Sequence, residues 1–323
     1  MTVCGDFAEL TPDALLDAVE TATGQRLAGF AHPHASYINR VYELQTSAGE
    51  RIIAKFYRPG RWPREALLDE HAFTLELAAE EVPVVPPQPL LDGSTLGTAE
   101  SIHFAVFEKR SGREFEPTEP EDWRRLGRIM ARMHGVGERG EATDRVVMHP
   151  AHSTAADLAL LREGDFLSRS QRTTFLDMAN EVYERILPPF EGTPLQRIHG
   201  DCHCQNILER PGEGLLLIDF DDMATGPAVQ DLWMLLPERP PQARAEINLI
   251  LGGYETFREF DDRQLRLIEP LRAMRMLYFV AWCARQVGDP NFARKFPDWG
   301  SDSFWRQQTA DLREQLDILR EGG

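Results

Sequence analysis

The sequence predicts an α+β protein in two parts, a small β-rich first third and a larger, mostly helical remainder. Three observations carry this. Residues 40–58 alternate apolar and polar side chains around a Ser-Ala-Gly-Glu turn, the period-2 pattern of a hairpin. "SIHFAVFE" is a further strand-like run that breaks into a polar, glycine-containing connector near 108–113. Beyond it the apolar positions recur mostly at helical spacing, as in "EDWRRLGRIMARMHGVG" and "AADLALLREGDFL".

The elements follow in order. "TPDALLDAVETATG" (11–24) opens on Thr-Pro and closes on Gly, which are helix start and stop signals. The hairpin 40–58 places Lys55 near the end of its second strand. "WPREALLDEHAFTLELAAE" (62–80) has a proline one residue in and then good helix formers, so it predicts a helix of several turns. "VPVVPPQPLL" (82–91) is too proline-rich to continue it. A short β-like zone at 197–220 interrupts the later helices. Phe304, Trp305, Leu312, Leu316 and Leu319 fall on one helical face and predict core packing.

Composition narrows the function. The chain has 323 residues, 42% of them hydrophobic and 27% charged, a globular balance with ample length for a buried core. Its net charge of −17 argues against nucleic acid or an anionic membrane as partner. The N-terminal stretch has neither a basic n-region nor an apolar h-region, and no apolar window is long enough to span a bilayer. Four cysteines, Cys4, Cys202, Cys204 and Cys283, are too few and too unevenly spaced for a disulfide framework. The expectation is a cytoplasmic monomer.

Three segments bear chemistry. On the helix 63–80, Glu70 shares a face with Leu67, Phe73, Thr74 and Leu77. A carboxylate on an apolar stripe is costly unless it meets a cation, and Lys55 on the preceding strand also needs a partner. Two ordinary solvated charges are the alternative. In "EGLLLIDFDDMATGP" the apolar run Leu215–Ile218 reads as a buried strand closed by Asp219, with Asp221 and Asp222 behind it. A carboxylate at the mouth of such a strand suits a hard cation; a plain Asp-rich turn is the alternative.

The third segment, "IHGDCHCQNIL" (198–208), packs His199, Asp201, His203 and Asn206 into eight residues. Zinc would want a second Cys or His pair, which is lacking. Cys202 as a nucleophile beside His203 lacks a third partner. A phosphate-handling loop fits better. Asp201, then Asn206 after four intervening residues, then Asp219 is the order of a hydroxyl-orienting Asp, a metal-binding Asn and a later metal-binding Asp.

"IHGDCHCQNIL" with "LIDFDD" resembles the Brenner motif H-G-D-x-H-x-x-N followed by a D-F-D variant of D-F-G. That motif belongs to the aminoglycoside phosphotransferase/choline kinase branch of the protein-kinase-like fold. "SYINRVYEL", "AKFYRPGRWPREALLDEHAFTLELAAEEVPV", "FAVFEKRSGREFE", "TGPAVQDLWMLL" and "IEPLRAMRMLYFVAW" further resemble the bacterial stress response kinase A family, the YihE/RdoA-type Ser/Thr protein kinases. The likeness runs from about residue 10 to beyond 305.

The resemblance implies a two-lobed kinase-like fold: residues 1–107 as the ATP-binding lobe, 108–113 as the hinge, and 114–323 as the catalytic and substrate lobe. It implies Asp201 as the catalytic Asp and Asn206 and Asp219 as Mg²⁺ ligands. Lys55 would hold the α/β-phosphates and pair with Glu70. "SYINR" (36–40) would replace the glycine-rich loop without any glycine, with Ser36 reaching phosphate through its hydroxyl. Phe107, Glu108 and Lys109 would receive adenine. Asp231 would brace the catalytic loop, and His199 and His203 would be scaffold.

The function expected is an ATP- and Mg²⁺-dependent kinase acting on Ser/Thr hydroxyls of a protein, in a stress response. A small-molecule kinase of the same fold is the alternative, and the acidic "EPTEPED" (116–122) keeps it open. A pseudokinase binding module is a third reading, and the intact Lys55–Glu70–Asp201–Asn206–Asp219 set argues against it.

Overall fold

The protein is described from a computed structural model that covers residues 5–321; Cys4 lies outside them. Helix α1 (Pro12–Thr23) starts where the Thr11 hydroxyl accepts the Ala14 N–H and stops at Gly24, φ +70°. Strands β1 (Leu27–His34), β2 (Arg40–Thr46) and β3 (Arg51–Phe56) follow, then helix α2 (Arg64–Ala79), β4 (Gly97–Ala99) and β5 (Ile102–Glu108). The five strands form one antiparallel sheet in the order β1-β2-β3-β5-β4. Its core packs Leu15 and Val19 of α1 against Leu44, Phe56 and Phe104.

After the two-residue strand β6 (Arg113–Glu114), α3 (Pro120–Gly137), α4 (Ala155–Glu163) and α5 (Arg172–Ile186) lead to the predicted β-like zone. That zone holds β7 (Gln196–Ile198), β8 (Ile207–Arg210) and β9 (Gly214–Leu217), and β10 (Ala224–Gly226) follows and pairs with β7. Ile218, expected inside the buried strand, lies just past it and is half-buried. Its N–H goes to the Asn206 carbonyl and its own carbonyl contacts His199 Nε2 at 2.9 Å. The helix expected over 155–167 ends at Glu163, where Gly164 turns to an extended conformation.

Helices α6 (Val229–Trp233), α7 (Arg244–Tyr254), α8 (Ile268–Gln286), α9 (Phe292–Lys295) and α10 (Asp302–Glu321) complete the chain. One large core runs from Phe73 and Leu77 of α2 through these helices to Leu319. Burying side chains of this kind stabilises by roughly 1.5–3 kcal/mol each. Trp305, Leu312, Leu316 and Leu319 of α10 are all buried, with the Trp305 ring 4.9 Å from Phe175 of α5. α3 and α7 approach so closely that a Cβ on Gly127 would sit 1.9 Å from the Ile250 carbonyl oxygen. The two parts of the chain are stitched at Leu217, whose N–H donates to the Pro83 carbonyl while Val84 bridges it in parallel.

Candidate active site

Lys55 stands on β3 opposite Ala105 of β5, with its side chain buried. Its ammonium lies 3.1 Å from Asp219 Oδ1, 3.3 Å from Asp221 Oδ1 and 3.9 Å from Glu70 Oε1. Glu70 reaches this point because α2 turns its Leu67–Phe73–Leu77 stripe inward and carries the carboxylate with it. The pair is a buried ionic contact rather than two solvated charges. Burial opposes the Lys55 charge, but the three carboxylates outweigh it and push its pKa well up. Burial raises Glu70 to about 7 against the pull of Lys55.

Asp219 adopts a left-handed backbone, φ +62°, which Asp tolerates better than most residues. The turn leaves its side chain 54% exposed. Asp221 points into the protein, and Asp222 beside it is only partly buried. Asp221 accepts from Asn39 Nδ2 at 3.1 Å and from Arg61, and Asp222 accepts from Arg61 at 2.7 Å. Burial works against the Asp221 charge, yet Arg61, Lys55 and Arg145 hold its pKa well below the usual carboxylate range. Arg145, with no exposed side-chain surface, donates to the carbonyls of Asp221, Met223 and Ala66 and lies 3.9 Å from Glu70.

The loop 198–208 is built on Asp231 of α6. Its fully buried carboxylate accepts the N–H of His199 at 2.8 Å and of Gly200 at 2.9 Å, and meets His134 at 3.0 Å. Gly200 is required: φ is +85°, and a Cβ would fall 2.1 Å from the Asp222 carbonyl oxygen. The loop then presents Asp201, whose carboxylate lies 3.0 Å from Arg275 of α8 and 3.5 Å from His203 Nε2. Burial alone would raise the Asp201 pKa, but the His203 contact and the Arg275 charge hold it well below the usual range. Asn206 donates its amide nitrogen to the Asp201 carbonyl at 2.9 Å, a bond that does not use its side-chain oxygen, which is an acceptor. His199 is buried against the Phe220 ring at 4.5 Å.

Ser36 is exposed in the turn between β1 and β2, and its hydroxyl oxygen accepts the Asn39 N–H at 3.3 Å. Phe107 pairs with Ile53, two residues along β5 from the partner of Lys55, and Glu108 is exposed at the strand end against Arg110. The structure therefore gathers Lys55, Glu70 and Asp219 into direct contact and joins Asn206 to Asp201. Ser36, Phe107 and Glu108 lie on the same sheet as Lys55 or in its turns. The sequence reading missed Arg61, Arg145, Arg275 and Asn39; two arginines bracketing the Pro-Gly turn of "RPGR" were the available signal.

Beside Asp201 opens a cavity of about 430 Å³, lined among others by Trp62, Asp222, Arg275, Tyr278, Trp282 and Phe296. The acidic run 116–122 does not line it. Asp122 instead accepts the N–H groups of Thr118 and Glu119 and caps α3. The thiols are ordinary: Cys202 is buried against Met130, and burial raises the pKa values of Cys202, Cys204 and Cys283. Among the described residues no group of three or more His, Cys, Asp or Glu could hold a metal, and no helix is long and apolar enough to cross a membrane.

The model of the phosphotransferase enzyme family matches residues 31–268. The chain belongs to that family. It is 37% identical over 316 residues to Stress response kinase A of Shigella flexneri, covering 98% of this chain and 95% of the relative. It is 36% identical, with the same coverage, to a Salmonella typhimurium protein named Serine/threonine protein kinase RdoA. The solved amicoumacin kinase hAmiN, in complex with AMP-PNP, Ca²⁺ and Ami, superposes with a TM-score of 0.75 at 17% identity, covering 96% of this chain and 94% of its own. A microcompartment-associated aminopropanol kinase gives 0.70 at 18%, covering 96% and 98%. The two-part α+β architecture is thus the kinase-like fold of this family, and the protein is a kinase.

Proposed function

We propose that the protein is an ATP- and Mg²⁺-dependent kinase that phosphorylates Ser or Thr hydroxyls of a protein. The observation that carries the chemistry is the convergence of Lys55, Glu70 and Asp219 opposite the loop holding Asp201 and Asn206. Residues 1–107 form the nucleotide lobe, 108–113 the hinge and 114–323 the catalytic lobe in this reading. The acceptor class rests on the relatives, whose names include a Ser/Thr protein kinase at 36% identity over nearly the whole chain.

The donor set fits magnesium. This ion commonly takes one or two protein oxygens and fills its shell with water and phosphate, and the Asn206 side-chain oxygen and the half-exposed Asp219 carboxylate are two such donors. That explains why no three-residue cluster is needed. Bound there, magnesium would neutralise charge that develops on the transferred phosphoryl group. Lys55 would exchange its contact with Asp219 for the α/β-phosphates while Glu70 keeps its ammonium in place. Phe107 and Glu108 would receive adenine, and Ser36 would cover the phosphates. Asp201, held ionised, orients the acceptor hydroxyl and takes its proton as the oxygen attacks the γ-phosphorus, while the bond from that phosphorus to the β,γ-bridging oxygen breaks and ADP leaves. Arg275, 43% exposed, is free to swing off Asp201 as the acceptor arrives.

One observation favours a small-molecule acceptor: the aromatic-walled cavity beside Asp201 has the volume of a small-ligand site. The experiment is direct. With Mg²⁺ and γ-labelled ATP, label should appear on Ser or Thr of the protein itself or of a basic test protein. Choline, ethanolamine, homoserine, hexoses and aminoglycosides should give no turnover above background ATP hydrolysis. Efficient labelling of one of these, with none on protein, would overturn the acceptor class.

A further inference from the structure

Arg58 is a fully buried cation near the site, and its bonds run to the loop 36–39 rather than to Lys55, Glu70, Asp201, Asn206 or Asp219. It follows β3, its side chain has no exposed surface, and every polar arm is used. Nε donates to the Ile38 carbonyl at 2.8 Å and Nη2 to the Tyr37 carbonyl at 2.7 Å. Its backbone N–H donates to Asn39 Oδ1 at 3.1 Å. Nη1 donates at 2.6 Å to Asp289, 231 residues away in the turn between α8 and α9. Asp289 is itself fixed, its other oxygen accepting the Asn291 N–H at 2.8 Å.

The helices on either side of that turn grip the loop a second time, through Trp282 of α8, Lys295 of α9 and Phe296 just after it. The Tyr37 ring lies 5.8 Å from Trp282 and 6.2 Å from Phe296, and the Lys295 ammonium stands 4.1 Å above its face. Asn39 then passes the constraint inward, since its amide holds Asp221, the carboxylate 3.3 Å from Lys55. A glycine-rich loop gets its shape from backbone freedom and closes over phosphate when nucleotide binds. This loop has no glycine, and its carbonyls at 37 and 38 are tied by one guanidinium to the far end of the chain.

We infer that Arg58 and Asp289 are positioning residues: they pin loop 36–39 to the segment after α8 and preset it over the nucleotide. The inference rests on reading 36–39 as the phosphate-side loop. An ordered loop pays less ordering entropy when nucleotide binds. Losing the pin therefore weakens nucleotide binding more than the chemical step, which Asp201 performs elsewhere.

Asp289→Asn keeps the shape and an acceptor for Asn291 but sets an amide N–H₂ or an uncharged oxygen against Arg58. Losing a charge-assisted bond of this kind corresponds to roughly a tenfold rise in the ATP KM and in the Mg·ATP dissociation constant, with kcat within about twofold. Arg58→Lys, which cannot reach both carbonyls and Asp289 together, should show the same split. Glu269→Gln, which breaks the remote Arg239–Glu269 pair at the start of α8, controls for general destabilisation and should leave the ATP KM alone.

Ser36→Ala tests the underlying reading. If Ser36→Ala raises the ATP KM while Asp289→Asn and Arg58→Lys do not, the pin is wrong and the loop assignment stands. If none of the three moves it, the loop assignment falls and the pin with it. A fall in kcat with unchanged ATP KM in Asp289→Asn, or a KM rise matched by Glu269→Gln, also overturns the inference.

Discussion

Lys55→Met is the most informative perturbation of the unliganded protein. Methionine keeps most of the stem volume, so the change is chiefly the loss of one charge. That charge faces Asp219, Asp221 and Glu70 at 3.1, 3.3 and 3.9 Å, and the last two carboxylates are buried. Removing one partner of a buried ion pair costs about 3–5 kcal/mol. Arg61 and Arg145 remain beside Asp221 and Glu70, so the lower end, ~3 kcal/mol, is expected. At about 2 °C per kcal/mol for a chain of this length, Tm should drop by roughly 6 °C at pH 8.

The pH dependence is the sharper part. Glu70 is already raised to about 7, burial outweighing Lys55. A carboxyl group raised in the folded state binds protons that the unfolded state has released, so its cost is present above the folded pKa and vanishes below the unfolded one. Without Lys55 the Glu70 pKa climbs further, and the deficit should shrink as pH falls from 8 to 5. Adding Glu70→Gln should recover much of the loss at pH 8. Thermal unfolding at the two pH values reads this. A deficit of the same size at both, or none at pH 8, would refute the description of the cluster as charge-balanced by Lys55.

Asp219→Ala should weaken nucleotide binding measured with Mg²⁺ while metal-free ADP affinity changes little; calorimetry in both conditions checks this, and equal losses would remove Asp219 from the metal site. Burial raises Asp157 to about 6 against the pull of Arg285. The native state therefore holds that proton after the unfolded chain releases it, and stability falls as pH rises from about 4 to 6, by at most about 3 kcal/mol. Asp157→Asn should flatten that part of the urea-unfolding stability profile, and an unchanged slope would show that Asp157 titrates normally.

What the sequence made legible was what burial imprints on local pattern. Helix α2 could be read because its apolar stripe recurs at helical spacing, and Glu70 stood out on it for the same reason. The hairpin of β2 and β3 alternates around its turn. Strand β1, "LAGFAHPH", shows no alternation because it is the sheet edge and seven of its eight residues are exposed; with nothing to bury, it carried no signal. Asp201, Asn206 and Asp219 fall within nineteen residues of one another and could be seen together.

The partners of Arg58, Arg61 and Arg145 could not. Arginine is ordinarily solvated, and their partners lie 231, 160 and 76 positions away. Only the fold shows that Asp221 and Asp222 both pair with Arg61, Asp221 from within the protein. Nor did the acidic run 116–122 signal that its Asp122 would accept the N–H groups of Thr118 and Glu119 at the start of α3.

The central claim is that Asp201 carries phosphoryl transfer without helping to hold the nucleotide, and Asp201→Asn tests it most directly. The substitution keeps the size of the side chain and removes the charge facing Arg275 and His203. Mg·ATP affinity by calorimetry should stay within about twofold, while transfer of the γ-phosphate should fall by roughly 10²–10⁴ at saturating ATP, the usual contribution of a positioned general base. Near-normal turnover at saturating ATP, or a loss that follows weakened nucleotide binding, would contradict the account.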